Sequence, residues 1–246
     1  MRSRTSFFNG AVFRKNLSRF APVMALDMLL LIIMVMMTWS RTGEANRCYY
    51  FMGQVEGMMG LMGIVNLVYA AVVAQLLFGD LFSSRMCNAL HAMPLRRECW
   101  FVTDVVSGLV YSLIPTAVGT LILLPLLAKT IFAGAWKVAF LFFLVSNLEY
   151  ICFFGLAVFS VMMVGSRITM IAGYGLLNFG APICYWLVNS VYTPLLYGVI
   201  TPTSLADKLF PIRYMLRDFL TVDEVKVFDD FGKLLPDVQP TYSLGE

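Results

Sequence analysis

The chain has 246 residues, of which 59% are hydrophobic and 13% charged, and its formal net charge is +3. Its mean hydropathy of +0.77 lies well above the usual balance of a soluble domain and excludes an ordinary water-soluble fold. With one histidine and five scattered cysteines that form no CxxC, the sequence indicates neither a metal cluster nor a disulfide framework. The small positive charge gives no reason to expect nucleic-acid binding.

Five apolar stretches are long enough to cross a membrane as helices. A hydrocarbon core of roughly 30 Å needs about 20 apolar residues in a helix, and continuously apolar runs favour helices over the alternating strands of a barrel. The predicted spans are Ala21 to Trp39, Met58 to Phe78, Val105 to Ala128, Val138 to Val164 and Ile168 to about Val191. The sequence therefore predicts an all-α integral membrane protein with five transmembrane helices in a domain over residues 21–200.

The basic residues of the short loops predict the orientation, because cytoplasmic loops carry an excess of lysine and arginine. Nine lie in the N-terminal segment and in the loops after the second and fourth spans: Arg2, Arg4, Arg14, Lys15, Arg19, Arg85, Arg96, Arg97 and Arg167. Four lie in the opposite loops: Arg41, Arg47, Lys129 and Lys137. We therefore expect a multi-pass protein with a cytoplasmic N-terminus and an external segment from about Tyr192. A bacterial cell membrane is the expected location.

Residues 1–20 form a basic segment before the first span. Its apolar and basic residues fall on opposite sides of a helical wheel: Phe13, Leu17 and Phe20 on one, Arg14, Lys15 and Arg19 on the other. This pattern predicts a cytoplasmic amphipathic lead-in helix that lies in the headgroup region of the bilayer. A second interpretation is a lever that couples to motion of the helix bundle.

The stretch after the fifth span also has two interpretations. Residues 168–206 carry no charge, and as one straight helix they would extend about 60 Å, twice the hydrocarbon thickness. Either a helix is kinked and tilted, or "VNSVYTPLLYGVITP" enters the membrane from outside and returns, with Pro182, Pro194 and Pro202 as breaks. Residues 201–246 are predicted to be an external polar tail.

A polar connector, "LFSSRMCNALHAMPLRRECWF", separates the second and third spans. On a helical wheel one half is mainly apolar, with Arg85 among its members, and the other half is polar. Because Pro94 cannot continue a helix and biases Met93 away from helical angles, the pattern predicts a cytoplasmic helix over residues 79–93. This helix is either a passive connection or a docking element for a cytosolic partner. A passive connection could be much shorter.

The stretch "GDLFSSRMCNALHAMPLRRECWF" resembles the segment between the second and third spans of type-2 ABC exporter permeases. Members of that family often have a phenylalanine, a serine and an arginine there, followed by "LPLRR" or a similar sequence; this chain has "MPLRR". The basic lead-in, the order of the spans and an external re-entrant segment also fit. The family has a sixth span and a cytoplasmic C-terminus, so the resemblance implies a six-span permease fold lacking the last span, either as a shortened homologue or with its C-terminal portion missing.

The resemblance further implies that residues 79–93 are a coupling helix that contacts an ABC ATPase subunit. The residues expected to dock on the ATPase are Leu81, Phe82, Arg85, Met86, Leu90, Arg96 and Arg97. No GxxxxGK[ST] motif occurs in the chain, so we expect no cofactor on this chain and ATP on the partner. The family implies a homodimer, or a heterodimer with a second permease, in the lipid bilayer.

Three polar residues inside the predicted spans are candidate functional residues: Glu149, Asn147 and Asp27. Glu149 lies near the middle of the fourth span, where a charge costs roughly 2.5 kcal/mol or more on insertion scales. It is either a functional carboxyl or a protonated one that is hydrogen-bonded within the bundle, for example to Asn147 or a neighbouring span. In both cases we expect it to face the bundle interior or a dimer interface. Asp27 is close enough to the end of its span to reach the membrane interface.

Several further residues are expected to serve packing. Asn66 and Asn178 are more typical of hydrogen bonds between helices than of substrate contacts, and Ala70 and Ala74 form a small-xxx-small pair that permits close approach of two helices.

Two other classes of function compete with the permease. An intramembrane enzyme would need a catalytic pair in the membrane, but Asp27 and Glu149 are the only acids in the predicted spans, and neither HExxH nor GxSxG occurs. We therefore expect no enzymatic activity. The other alternative is a membrane scaffold or immunity protein without a transport role, and a neighbouring gene for a P-loop ATPase would argue against it.

Overall fold

The computed structural model describes residues 8–40, 47–82, 97–130, 135–195, 221–222 and 242–243. The α-helices are α1 (Gly10–Arg19), α2 (Ala21–Ser40), α3 (Arg47–Leu77), α4 (Arg97–Thr130), α5 (Ala135–Met163) and α6 (Arg167–Leu195). Gly79–Phe82 form a 3-10 turn after α3. Two short strands, β1 (Thr221–Val222) and β2 (Tyr242–Ser243), pair antiparallel. The described part of the chain is therefore almost entirely helical, as predicted.

Four helices, α3 to α6, contain segments long and apolar enough to cross a membrane, and a fifth span results if α1 and α2 are counted together. The helices α1 and α2 are bent by 57° at the break between them. The prediction of a multi-pass helical protein is thus confirmed at four or five spans. The third span starts earlier than predicted, since α4 begins at Arg97 rather than near Val105. Glu98 in its first turn suits the positive end of the helix dipole.

The outer surface of the bundle is apolar. Large aliphatic side chains are more than two-thirds exposed on three helices, namely Leu121 on α4, Met163 on α5, and Ile168 and Leu176 on α6. A surface of this kind would promote association in water, whereas lipid acyl chains cover it at little cost. This distribution fits helices that stand in a bilayer.

Inside the bundle, α5 packs against α3, α4 and α6, while α2 packs against α3 and α4. Ala70 and Ala74, one turn apart on α3, are fully buried. Their small side chains let the neighbouring backbone approach, which confirms the packing role expected for this pair.

Two separate apolar clusters fill the two ends of the bundle. The near cluster lies at the end where α1 packs, and it includes Tyr69, Phe78, Tyr111, Tyr150, Phe154 and Met170. The far cluster lies at the opposite end, and it includes Leu31, Val35, Met58, Met62, Leu123 and Phe142.

Two prolines, Pro115 and Pro125, lie inside α4 without ending it. Because Pro115 has no N–H, the carbonyl of Tyr111, four residues earlier, loses its usual helical donor. The hydroxyl of Tyr69 on α3 donates a hydrogen bond to this carbonyl at 3.2 Å. A neighbouring helix thus satisfies a backbone group that a membrane interior would leave unpaired.

We expect Tyr69→Phe to lower the free energy of unfolding by about 1–3 kcal/mol, because it leaves the Tyr111 carbonyl buried and unpaired. Tyr150→Phe is the matched control: its hydroxyl donates to the carbonyl of Gly108 at 2.9 Å, and that carbonyl keeps its own helical donor. Chemical unfolding in mixed micelles should show a larger decrease in the free energy of unfolding for Tyr69→Phe than for Tyr150→Phe. Equal losses for the two variants would contradict this account of Pro115.

The helix α6 continues through Pro182 as far as Leu195. Its 29 residues correspond to roughly 44 Å at 1.5 Å per residue, longer than the hydrocarbon core. Residues 188–195, the first half of the stretch predicted to re-enter, are therefore helical. This favours the tilted helix for that part, while residues 196–220 and most of the predicted tail over 201–246 lie outside the described residues.

Candidate functional site

A layer of polar side chains crosses the bundle between the two apolar clusters. On α3, for example, Asn66 lies between Met62 of the far cluster and Tyr69 of the near cluster. We call this set the polar layer, and its members are Asp27, Asn66, Ser112, Thr116, Ser146, Asn147 and Glu149. All except the half-buried Asn147 are buried. Polar groups at this depth must find partners within the protein, because the membrane supplies none.

Glu149 forms the centre of the contact between α5 and α3. Its side chain is 3% exposed, and Asn66 donates from Nδ2 to its Oε2 at 3.3 Å. The same Nδ2 lies 3.2 Å from the carbonyl oxygen of Ser146. The prediction that Glu149 faces the bundle interior is therefore confirmed, and its partner is on the neighbouring helix.

Asn147 points to α4 and does not pair with Glu149. Residues two apart on a helix project to different sides, about 200° apart. The Nδ2 of Asn147 donates to Thr116 Oγ1 at 3.0 Å and to its own helix at the carbonyl of Phe143 at 2.7 Å. Its Oδ1 accepts from Ser112 at 3.4 Å. The suggested Glu149–Asn147 bond is thus replaced by two separate contacts, one with each neighbouring helix.

Asp27 is buried in the bundle and is only 3% exposed, so the expectation that it reaches the membrane interface is wrong. The reason is its place on α2, because Leu31 and Val35 lie one and two turns further along the same face and are both buried in the far cluster. Asp27 thus adds an acidic group from α2 to the polar layer.

The polar layer joins α3, α4 and α5 by hydrogen bonds and holds two acidic side chains away from water. Among the described residues, no group of three or more histidine, cysteine or acidic side chains could hold a metal ion. The arrangement can specify how the helices pack, and it places two protonatable groups inside the bundle.

A second polar region lies at the end of the bundle where α1 packs. The side chain of Arg19, at the end of α1, forms an ion pair with Asp80 at 3.4 Å, so it contacts the first turn of the connector. A Cβ atom added to Gly79 would lie 3.9 Å from the guanidinium of Arg167, the first residue of α6. The ends of α1 and α3 and the start of α6 therefore meet at one end of the bundle.

The residues expected to dock on an ATPase are partly described. Leu81 is 37% exposed, Phe82 is half-buried against the near cluster, and Arg97 is exposed at the start of α4. Residues 79–82 form a 3-10 turn rather than the first turn of the predicted α-helix. The other members lie outside the described residues: Arg85, Met86, Leu90 and Arg96.

The amphipathic pattern of the lead-in segment is confirmed in α1. Arg14 and Lys15 are exposed, whereas Leu17 and Phe20 pack against the near cluster. The apolar side of α1 therefore faces the bundle.

Asp104, on α4, is a third buried acid that the sequence did not single out. It is 0% exposed, and Asn16 of α1 donates from Nδ2 to its Oδ1 at 2.6 Å. Its neighbour Thr103 accepts from the backbone N–H of Asn9 at 3.1 Å. The statement that Asp27 and Glu149 are the only acids in the spans is thus wrong, because it placed the start of the third span one residue beyond Asp104.

The hydroxyl members of the polar layer were also missed. Ser112, Thr116 and Ser146 are single small residues in apolar runs, and such residues carry no signal by themselves. The sequence signal for this layer was the presence of Asn66, Asn147 and Glu149 in the predicted spans.

No protein-family model, no curated protein and no solved structure matches the chain.

Proposed function

We propose that the chain is the membrane-spanning permease subunit of an ATP-driven exporter of the type-2 ABC class, in a bacterial cell membrane. A separate ATPase subunit binds and hydrolyses ATP, since the chain has no P-loop motif. Two permease chains, identical or different, form the translocation path and alternate between inward- and outward-open arrangements.

The observation that carries this proposal is the way the connector begins. Its first turn, Gly79–Phe82, is held on both sides: Asp80 pairs with Arg19 of α1, and Phe82 packs against the near cluster. A force applied to the connector would therefore reach both α1 and the packed interior of the bundle. This is the mechanical link that a coupling segment needs, and a passive connection would not need it.

The polar layer has a defined place in this proposal. Its hydrogen bonds link α3, α4 and α5 at mid-bundle, so a rearrangement of these helices must break or exchange them. A second arrangement of these hydrogen bonds would give a second discrete state, which alternating access requires.

The test is purification of the tagged full-length chain from membranes of its own host, followed by identification of co-purified P-loop ATPases. We expect one ATPase to co-purify with the parent chain. The double variant Leu81→Asp with Met86→Asp should lower its yield about tenfold, because charge on an apolar docking face removes roughly 1.4 kcal/mol or more of binding. Leu81 is partly exposed, so its replacement should leave the packing of the bundle intact.

The matched control is Leu81→Met with Met86→Leu, which keeps both positions apolar and should retain the ATPase. Phe82 is avoided because it packs against the near cluster. Equal ATPase yields from the parent and the aspartate variant would refute docking at the connector. If no P-loop ATPase co-purified with the parent chain, the result would favour a scaffold or immunity protein.

A further inference from the structure

The helix α1 is attached to the bundle by a small contact. None of its ten residues is fully buried, and Leu17 and the following Phe20 are only partly covered by the near cluster. Little apolar area is therefore removed from water or lipid when α1 packs. Helix α1 is also separated from α2 by a break at Phe20, whose backbone is not helical, and the two helices are bent by 57°. The break gives α1 a hinge.

Hydrogen bonds to one face of α4 add to this attachment. The backbone N–H of Asn9 donates to Thr103, the side chain of Asn16 donates to Asp104, and the hydroxyl of Tyr111 donates to the carbonyl of Asn16 at 2.8 Å. Thr103 and Tyr111 are eight residues apart, so they lie on the same side of α4 two turns apart. The Asn16–Asp104 bond, at 2.6 Å, is the shortest of the three.

The Asp104 carboxyl makes this attachment reversible. In the docked position the residue is 0% exposed, and its Oδ2 has no hydrogen-bond partner in the described part of the chain. A buried carboxylate with one donor is poorly compensated for the water it has lost. If α1 swings away, Asp104 regains water, so dehydration of the carboxylate opposes docking while the Asn16 bond favours it.

We propose that the Asn16–Asp104 hydrogen bond is a releasable latch and that α1 is a lever with a docked and an undocked position. This inference rests on the proposed function, in which the lever connects the ATPase-facing connector to α4. The Arg19–Asp80 ion pair joins the lever to the connector, and both side chains are partly exposed, so this joint is easily broken and remade. Movement of the connector would thus reach α4 by releasing or remaking this contact.

A cysteine in place of Ser107 reports the position of the lever. Ser107 is 0% exposed, and among the described residues its hydroxyl donates to the carbonyl of Thr103 in its own helix at 2.7 Å. It lies midway between Thr103 and Tyr111 on the side of α4 that meets α1. In a chain whose native cysteines are replaced, the rate at which a water-soluble thiol reagent labels Cys at position 107 measures undocking of the purified protein in detergent.

Three substitutions test the latch against this reporter. Asn16→Ala should raise the labelling rate about tenfold, because it removes a hydrogen bond to a charged group. Asp104→Asn keeps an acceptor for Asn16 but no charge, so it should lower the rate below that of the parent. Ser18→Ala, at an exposed position on α1, should leave the rate unchanged.

A second reporter separates undocking from unfolding. A cysteine in place of Ser146, which is 2% exposed between α3 and α5, should stay protected in the Asn16→Ala chain. An unchanged rate at position 107 in the Asn16→Ala chain would overturn the latch, as would faster labelling in Asp104→Asn or a parallel rise at position 146.

The same reporter distinguishes the latch from the proposed function. In membranes that contain the co-purifying ATPase, ATP should change labelling at position 107 in the parent but not in Asn16→Ala. If the substitutions act as expected and no ATPase or ATP response is found, the latch stands and the permease proposal fails. If the ATPase docks but the substitutions have no effect, the latch fails and the permease proposal stands.

Discussion

Gly108→Ala should lower the free energy of unfolding by about 1–3 kcal/mol, the usual cost of overpacking a core. A Cβ at this position of α4 would overlap the tip of the Phe154 ring on α5. The ring cannot easily move, because Phe154 is 2% exposed and stacks on Tyr150 with centroids 5.5 Å apart. The absence of a side chain at position 108 is therefore what lets α4 and α5 pack this closely.

Gly155→Ala on α5 is the matched control, since nothing lies within 4 Å of its added Cβ and the position is exposed. It should change stability by no more than about 1 kcal/mol. Phe154→Ala provides a second comparison. In the Phe154→Ala background, Gly108→Ala should lower the free energy of unfolding only slightly, because the clashing ring is gone. Unfolding by SDS in mixed micelles, followed by tryptophan fluorescence, measures the parent and all four variants. If Gly108→Ala lowered the free energy of unfolding as much in the Phe154→Ala background as in the parent, the proposed clash would be refuted.

Asn66→Leu should lower the free energy of unfolding by about 3 kcal/mol, because it removes the donor to the buried carboxyl of Glu149. Glu149→Gln should stay within about 1 kcal/mol of the parent, since its amide oxygen still accepts from Asn66. The double variant Asn66→Leu with Glu149→Leu should recover much of the loss, because neither polar partner remains to be left unpaired.

Asn178→Leu on α6 controls for the change from asparagine to leucine at a buried position. Asn178 is 2% exposed. Among the described residues its Nδ2 donates to the carbonyl of Tyr174 in its own helix, and its Oδ1 has no partner there. The expectation that Asn178 links helices is therefore not met, and its replacement should be neutral or stabilising. The same SDS titration measures both sites. If Asn66→Leu cost no more than Asn178→Leu, the polar layer would have no stabilising role.

The transmembrane helices could be predicted from the sequence because each span is a local property. An apolar run of sufficient length must form a helix in a bilayer, whatever it packs against. The first span and the start of α2 agree at Ala21, and the amphipathic pattern of α1 is recovered from spacing alone. The predicted ends of the spans agree less well with the observed helix ends where polar residues continue a helix beyond its apolar part. This is the case between Arg97 and Val105 in α4.

The burial of Glu149 was also predictable, because an unpaired carboxyl facing lipid would cost too much. The sequence named the residue, but it did not name Asn66 as the partner. The nearest amide along the chain, Asn147, lies on a different side of α5, and only the packing of α3 against α5 brings Asn66 to the carboxyl.

What the sequence by itself determined is the class of protein: a helical bundle for a membrane, with a basic end, polar groups in its spans and a patterned connector. Only the tertiary structure decided which polar groups meet. Asn16 and Asp104 are 88 residues apart in the chain and 2.6 Å apart in space, and Pro115 is accommodated by a hydroxyl from α3. Hydropathy depends on each residue alone, whereas a hydrogen bond depends on the distance and angle between two groups, and those follow from how the helices pack.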